Sequence, residues 1–215
     1  MKEPRVTLAG ERADARANRR RLLDAAVAVF AERGADAEVR EIAERAGLAV
    51  GTVYNHFPSK EDLLAAVVEE AASQFEAALQ GALEEPDEVE ALRMFVRRGL
   101  RVAERFGSVM AAALEGQVPL ARAAAYRARR VVLKRRIVEL IQRGIDTGRF
   151  WPGVDAEVVA AMLTGVLSPW TYPELRRSRT PEQITAALVA ALLYGLERRR
   201  APASPPLRQA PPDAG

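Results

Sequence analysis

The chain of 215 residues has no cysteine. That excludes a disulfide framework, a thiolate metal centre and a cysteine nucleophile. It also fits a reducing compartment, so a cytoplasmic protein is expected. There is a single histidine, His56. One imidazole without thiolates supplies too few ligands for a metal, and it leaves no second histidine for acid–base pairing. No metal and no cofactor are expected. The sequence has no GxSxG elbow and no phosphate-binding loop, so it does not read as an enzyme. Its longest uncharged stretch, Val158 to Pro173, contains Gly165 and Pro169 and is shorter than the roughly 20 apolar residues of a membrane span. No membrane partner is expected. The opening residues, MKEPRVTLAGERADARANRRR, lack an apolar h-region, so no signal peptide is expected.

Apolar residues make up 49% and charged residues 28% of the chain, the balance of a soluble protein. Glycine, proline and β-branched residues are sparse in its middle, while Ala, Leu, Arg and Glu abound. These are good helix formers, and an all-α fold is predicted. The length suits a small domain joined to a larger one. Net charge is only +3, but from Met1 to Leu23 seven basic residues face three acidic ones. Residues 1–16 are therefore read as a flexible basic arm, of the kind that lies along phosphates.

From Asn18 to Arg33 the apolar residues Leu22, Leu23, Ala26, Val27, Val29 and Phe30 fall at helical spacing. Asn18 suits an N-cap and Gly34 a stop. A short helix is predicted over 38–46, with Val39, Ile42, Ala43 and Ala46 on one face and Gly47 ending it. A third spans about 49–57 and is stopped by Pro58. Ser59-Lys60-Glu61-Asp62 reads as an N-cap with an acidic first turn, opening a long helix over 60–83. Glu84-Glu85-Pro86-Asp87 breaks it. Further helices are predicted at about 88–105, 108–115, 120–147, 155–168 and 181–200. Gly107, Gly116 with Pro119, the 148–153 segment, and Pro169 to Pro181 separate them. Residues 201–215, APASPPLRQAPPDAG, read as a Pro-rich disordered tail.

The stretch GLAVGTVYNHFPSKEDLL, residues 47–64, carries the chemistry. On a helical wheel Val50, Val53 and Phe57 share one face, with Ala49 at its edge, suited to pack on Ile42, Leu48 and Phe30. Gly51, Thr52 and Asn55 lie opposite, with Tyr54 and His56 on the flanks. A mid-helix glycine costs roughly 0.5–1 kcal/mol against alanine. Such an outer face suits a DNA major groove. Thr52, Tyr54 and His56 can donate to phosphate oxygens, and Lys60 adds a charge beside the exposed N–H groups of a helix start.

Leu22–Phe30, Gly34 and VREIAERAGLAVGTVYNHFPSKEDLL together closely resemble the N-terminal domain of TetR-family transcriptional regulators. The resemblance covers about residues 17–65 and rests chiefly on Ile42-Ala43, Ala46-Gly47, Gly51-Thr52, Tyr54, His56-Phe57 and Lys60. It implies an all-α homodimer, usually a repressor, with an N-terminal helix-turn-helix DNA-binding domain and a larger C-terminal helical domain for effector binding and dimerisation. Residues 17–62 and 63–200 are assigned to these two. By the same resemblance Arg40, Ala49, Val50, Gly51 and Asn55 face base edges, and Thr52, Tyr54, His56 and Lys60 hold the backbone of a double-stranded operator. The chain departs from the pattern with Ala37 and Ala49, where many members have Thr or Ser.

An unknown small-molecule effector is expected in the larger domain, with Phe95, Phe106, Met110, Tyr126, Met162, Trp170 and Tyr172 as candidate lining residues. Segments 155–168 and 182–197 are more apolar than one buried stripe requires, which points to a second contact surface and hence a homodimer. The basic run 126–144 reads as a core helix with a solvated arginine flank rather than as a second nucleic-acid patch, with Arg127 or Arg130 left open as a partner for an anionic effector. The alternatives are a regulator of the same fold without a small ligand, and a helical carrier or enzyme that keeps the N-terminal domain.

Overall fold

The computed structural model describes residues 8–113, 120–168 and 171–196, and their regular structure is helical throughout. Helix α1 spans Leu8–Arg33, α2 Val39–Ala46, α3 Val50–His56, α4 Lys60–Leu83 and α5 Glu88–Ala112. Then come α6 at Leu120–Asp146, α7 at Ala156–Val166, α8 at Thr171–Arg176 and α9 at Pro181–Leu196. The tail at 201–215 and the first seven residues lie outside the described residues.

Helix α1 buries Leu22, Leu23, Ala26, Val29 and Phe30 against α2 and α4. Helix α2 closes the small core with Ile42, Ala43 and Ala46. Gly47 then turns the chain at φ +64°, where an L side chain is strained and glycine is not. Its neighbour Leu48 donates its N–H back to the Ala43 carbonyl at 3.0 Å, satisfying one of the orphan acceptors at the helix end. Val53 and Phe57 of α3 complete the packing. At the start of α4 the Ser59 hydroxyl accepts from the Asp62 N–H at 3.0 Å, the cap expected from the sequence.

Helix α4 joins the two parts. It buries residues on almost every side, among them Leu63, Val67, Ala71, Phe75 and Leu79, because α1, α5 and α6 all pack on it. Three arginines of α6, two helical turns apart, reach across to α4. Arg129 donates to Glu76 and Ser73, Arg136 to the Gln80 side chain, and Arg143 to the carbonyls of Leu83 and Glu85. The seven-residue spacing puts them on one face. Arg143 supplies a positive end cap where α4 leaves its carbonyls unpaired. Two ion pairs, Asp24 with Arg105 and Arg20 with Glu70 at 3.3 Å, fasten α1 to α5 and α4.

Four sequence expectations change. Helix α1 begins at Leu8, so Asn18 is interior and residues 8–16, assigned to a flexible arm, continue the helix. Residues 12–17 are solvent-exposed, so no buried face signals that extension. Helix α5 runs through Gly107, which is buried within it, so the segments predicted as separate helices from 88–105 and from 108 onward form one helix as far as Ala112. The break between Pro169 and Pro181 holds the short helix α8, with Pro173 in its first turn where the missing N–H costs nothing. Val50, expected on the buried face of α3, is 39% exposed.

Candidate nucleic-acid interface and effector cavity

Helix α3 has two faces of opposite chemistry. Val53 and Phe57 are buried at 1% and 4% exposure, while Val50 and Tyr54 stand at 39% and 49%. Ala49, Gly51 and Asn55 are exposed, and Thr52, His56 and Lys60 are half-buried along the flank. Gly51 has a normal helical backbone, and a Cβ placed there meets no atom within 4 Å. Among the described residues nothing therefore requires glycine at this position. The His56 ring leans on Phe57, with centroids 6.3 Å apart.

Arg40 projects from α2, the helix that precedes α3. Its Nε donates to Glu44 Oε1 at 3.0 Å, with side chains 77% and 65% exposed. An exposed pair of this kind contributes only about 0.3–0.5 kcal/mol, and its Nη groups stay available to another acceptor. Two arginines that sequence reasoning gave no individual role brace α3 and the turn before it. Arg19 stacks its guanidinium 5.3 Å from the Phe57 ring centre, and Arg21 donates to the Gly47 carbonyl at 3.4 Å. Arg12, Arg16 and Arg19 recur at i, i+4 and i+7 on exposed α1, so they share one cationic edge of that helix, whose Arg19 end reaches Phe57. The basic count in the sequence was the signal for that edge. Its helical order was not visible there. Arg45 grips Glu32 through two bonds of 2.5 and 2.9 Å, locking α2 to α1 and holding that carboxyl below its ordinary range.

In the larger domain a cavity of about 40 Å³ lies among α4, α5, α6 and α7. It is narrow, since one ordered water needs about 10–15 Å³ by the same measure. Its walls are mostly apolar, with Phe75, Phe95, Leu133, Ile137 and Leu167, and its rim carries Glu76, Tyr126, Arg129 and Arg130. Of the candidate effector residues, Phe95 and Tyr126 line it. Phe106 and Met110 are buried in the core instead. Tyr172 is buried too, and its hydroxyl donates to Glu104. Met162 is 58% exposed on the outer side of α7, and Trp170 lies outside the described residues. Glu76 received no role in the sequence reading and Arg129 fell within the solvated arginine flank of the 126–144 run, yet both line the cavity. Arg129 holds Glu76 by two bonds of 2.7 Å each. Its hydrogen bond and charge keep the Glu76 carboxyl below the ordinary 4.5, against the upward push of burial. Burial raises Tyr126, with Arg130 opposing.

Residues 22–67 match a family model described as bacterial regulatory proteins, tetR family. Over 50 residues the chain is 50% identical to the HTH-type transcriptional repressor KstR of Mycolicibacterium smegmatis, covering 23% of this chain and 24% of that protein. It is 46% identical over 55 residues to the fatty acid metabolism regulator protein of Bacillus subtilis, covering 25% and 28%. The match thus spans about a quarter of the length of these relatives. The crystal structure of a TetR family transcriptional regulator, PfmR from Thermus thermophilus, aligns with a TM-score of 0.67 at 27% identity, over 83% of this chain and 97% of that one.

Proposed function

We propose that this chain, which belongs to the TetR family of bacterial regulatory proteins, works as a homodimeric, effector-responsive DNA-binding repressor rather than as an enzyme. Its place of action is the cytoplasm, and none of the described helices is long and apolar enough to cross a membrane. The observation that carries the reading is Gly51. The chain places a glycine in the first turn of α3, on a face where its described atoms leave open space, so the close neighbour that favours it is external. A duplex phosphate backbone and groove edge fit the polar and cationic groups around it.

In this reading Arg40, Ala49, Val50, Gly51 and Asn55 meet base edges. Thr52, Tyr54, His56 and Lys60 hold phosphates, and the Arg12–Arg16–Arg19 edge adds charge. Dimerisation uses the exposed apolar side of α7, where Val158 is 54% and Met162 58% exposed, with α9. The dimer sets two reading helices roughly 34–36 Å apart for successive grooves of a pseudo-palindrome. A small molecule in the cavity shifts α4 and weakens operator binding, and DNA must weaken effector binding by the same factor.

The test is fluorescence anisotropy with DNA from immediately upstream of the coding region, across a salt series. Tight binding that falls steeply with salt and is lost in Tyr54→Ala supports the reading. Weak binding that is equal on unrelated DNA and indifferent to Tyr54→Ala contradicts it.

A further inference from the structure

The cavity rim is electrically lopsided. Three charged side chains line it: Glu76, Arg129 and Arg130. Glu76 neutralises Arg129, while Arg130 makes no ion pair with any described carboxylate. The remaining charge at the mouth is positive, and Tyr126 beside it offers a hydroxyl. Behind the rim the walls are hydrocarbon and aromatic. Such a site favours a molecule with an apolar body and an anionic head.

The Arg129–Glu76 bond is also one of the three arginine ties between α6 and α4, and the one whose two partners line the cavity. The ties of Arg136 at Gln80 and Arg143 at Leu83 lie further along α4, away from the DNA-binding end. A cavity of about 40 Å³ holds a few waters but no alkyl chain. Entry of any larger body must part the helices around it.

We infer, building on the regulator reading above, that the effector is an amphipathic anion whose head takes Arg129 from Glu76. That exchange opens the upper α4–α6 seam while the lower two arginines keep it closed. The ligand supplies a carboxylate or phosphate oxygen pair to the guanidinium. Glu76 turns to solvent, where its side chain is already 40% exposed. A free fatty carboxylate and an acyl conjugate bearing phosphates share this chemistry.

The experiment titrates octanoate, 1-octanol and octanoyl-coenzyme A into the full-length protein by calorimetry, with operator anisotropy run in parallel. Octanoate or octanoyl-coenzyme A should bind at least about tenfold more tightly than octanol, the scale of a charge-assisted contact. Arg129→Met should abolish that margin while leaving octanol unchanged, and the anion that loses more identifies the source of the charge. Glu76→Gln, which keeps shape and removes the competitor, should tighten anion binding several-fold and ease release from the operator. It also guards against misfolding of Arg129→Met, since the two variants move affinity in opposite directions. Equal binding of all three probes, no binding of either anion, or indifference to both variants would overturn the inference. Those results would leave operator binding by the unliganded protein intact. If the anions bind with the stated Arg129 dependence but no DNA is bound, the anion site stands and the regulator reading fails.

Discussion

Replacing Gly51 with alanine should make the protein more stable and worse at its task. The backbone there is ordinary helix, and the added methyl meets nothing within 4 Å. Alanine also has fewer unfolded conformations to lose. The expected gain is about 0.4–1 kcal/mol, mainly through the unfolded chain, or roughly 1–4 °C in melting temperature for a chain of this size. Against DNA the same methyl occupies space on the reading face of each protomer. Crowding a close-packed contact costs about 1–3 kcal/mol, so operator affinity should fall at least about tenfold, at 1.4 kcal/mol per factor of ten. Differential scanning fluorimetry and anisotropy on the same preparation read the two effects. A variant that melts lower would mean that an internal demand for glycine had been overlooked. One that melts higher and binds operator as tightly as before would refute the close approach of DNA to α3, and with it the central observation behind the proposed function.

Tyr54→Ala and Lys60→Ala should leave the melting transition nearly unchanged and weaken binding across DNA sequences alike, with Lys60→Ala lowering the steepness of the salt dependence by about one phosphate contact. Unaltered binding by both would show that α3 had been placed wrongly on the duplex. Phe30 is 2% exposed at the centre of the small domain; Phe30→Ala should cost about 3–5 kcal/mol and abolish operator binding through unfolding, and an unchanged melting curve with unchanged affinity would contradict this. Glu76 and Glu104 both sit below the ordinary 4.5, Glu76 chiefly through Arg129, Glu104 because bonds from Arg176 and Tyr172 outweigh the opposing effect of burial. A lowered folded value stabilises the fold above the unfolded value and loses that contribution as pH falls through the folded one. Urea midpoints should hence decline as pH drops below about 4.5, less steeply in Arg129→Met, and a decline equal in both would exclude the Glu76 pair as a contributor.

Where burial decides structure, the sequence was legible. The apolar spacing of Leu22 to Phe30, the Gly47 turn and the Ser59 cap all reappear at the predicted places. So does the exposed side of α3, except that one residue was assigned twice. Val50 was expected both in the core and at base edges, and it stands half open because it opens the helix ahead of the first full buried turn. The first turns of α1 were unreadable for a different reason. They carry no apolar stripe, and only intrinsic propensity argues for a helix there. Gly107 looked like punctuation because a sequence does not tell a turn glycine from one buried in a helix. The cavity was least legible. Phe95 and Tyr126 were found by residue type, but Glu76 and Arg129 are 53 positions apart and become a pair only when α6 folds back along α4. Nothing in a single sequence records that meeting.

The length of α4 has a consequence for operator geometry. From Gln80, where Arg136 ties it to α6, to Lys60 beside the reading helix is about 30 Å of continuous helix at 1.5 Å per residue. A tilt of only about 5° around that tie carries the Lys60 end through roughly 2–3 Å. In the homodimer proposed above the two ends would move in opposite senses, so their spacing would change by up to about 5 Å, more than the 3.4 Å step between base pairs. In the homodimeric reading proposed above, a tilt of a few degrees would then put one half-site out of register whenever the other is engaged, and the stiffness of this helix would set how sharply such an operator is released.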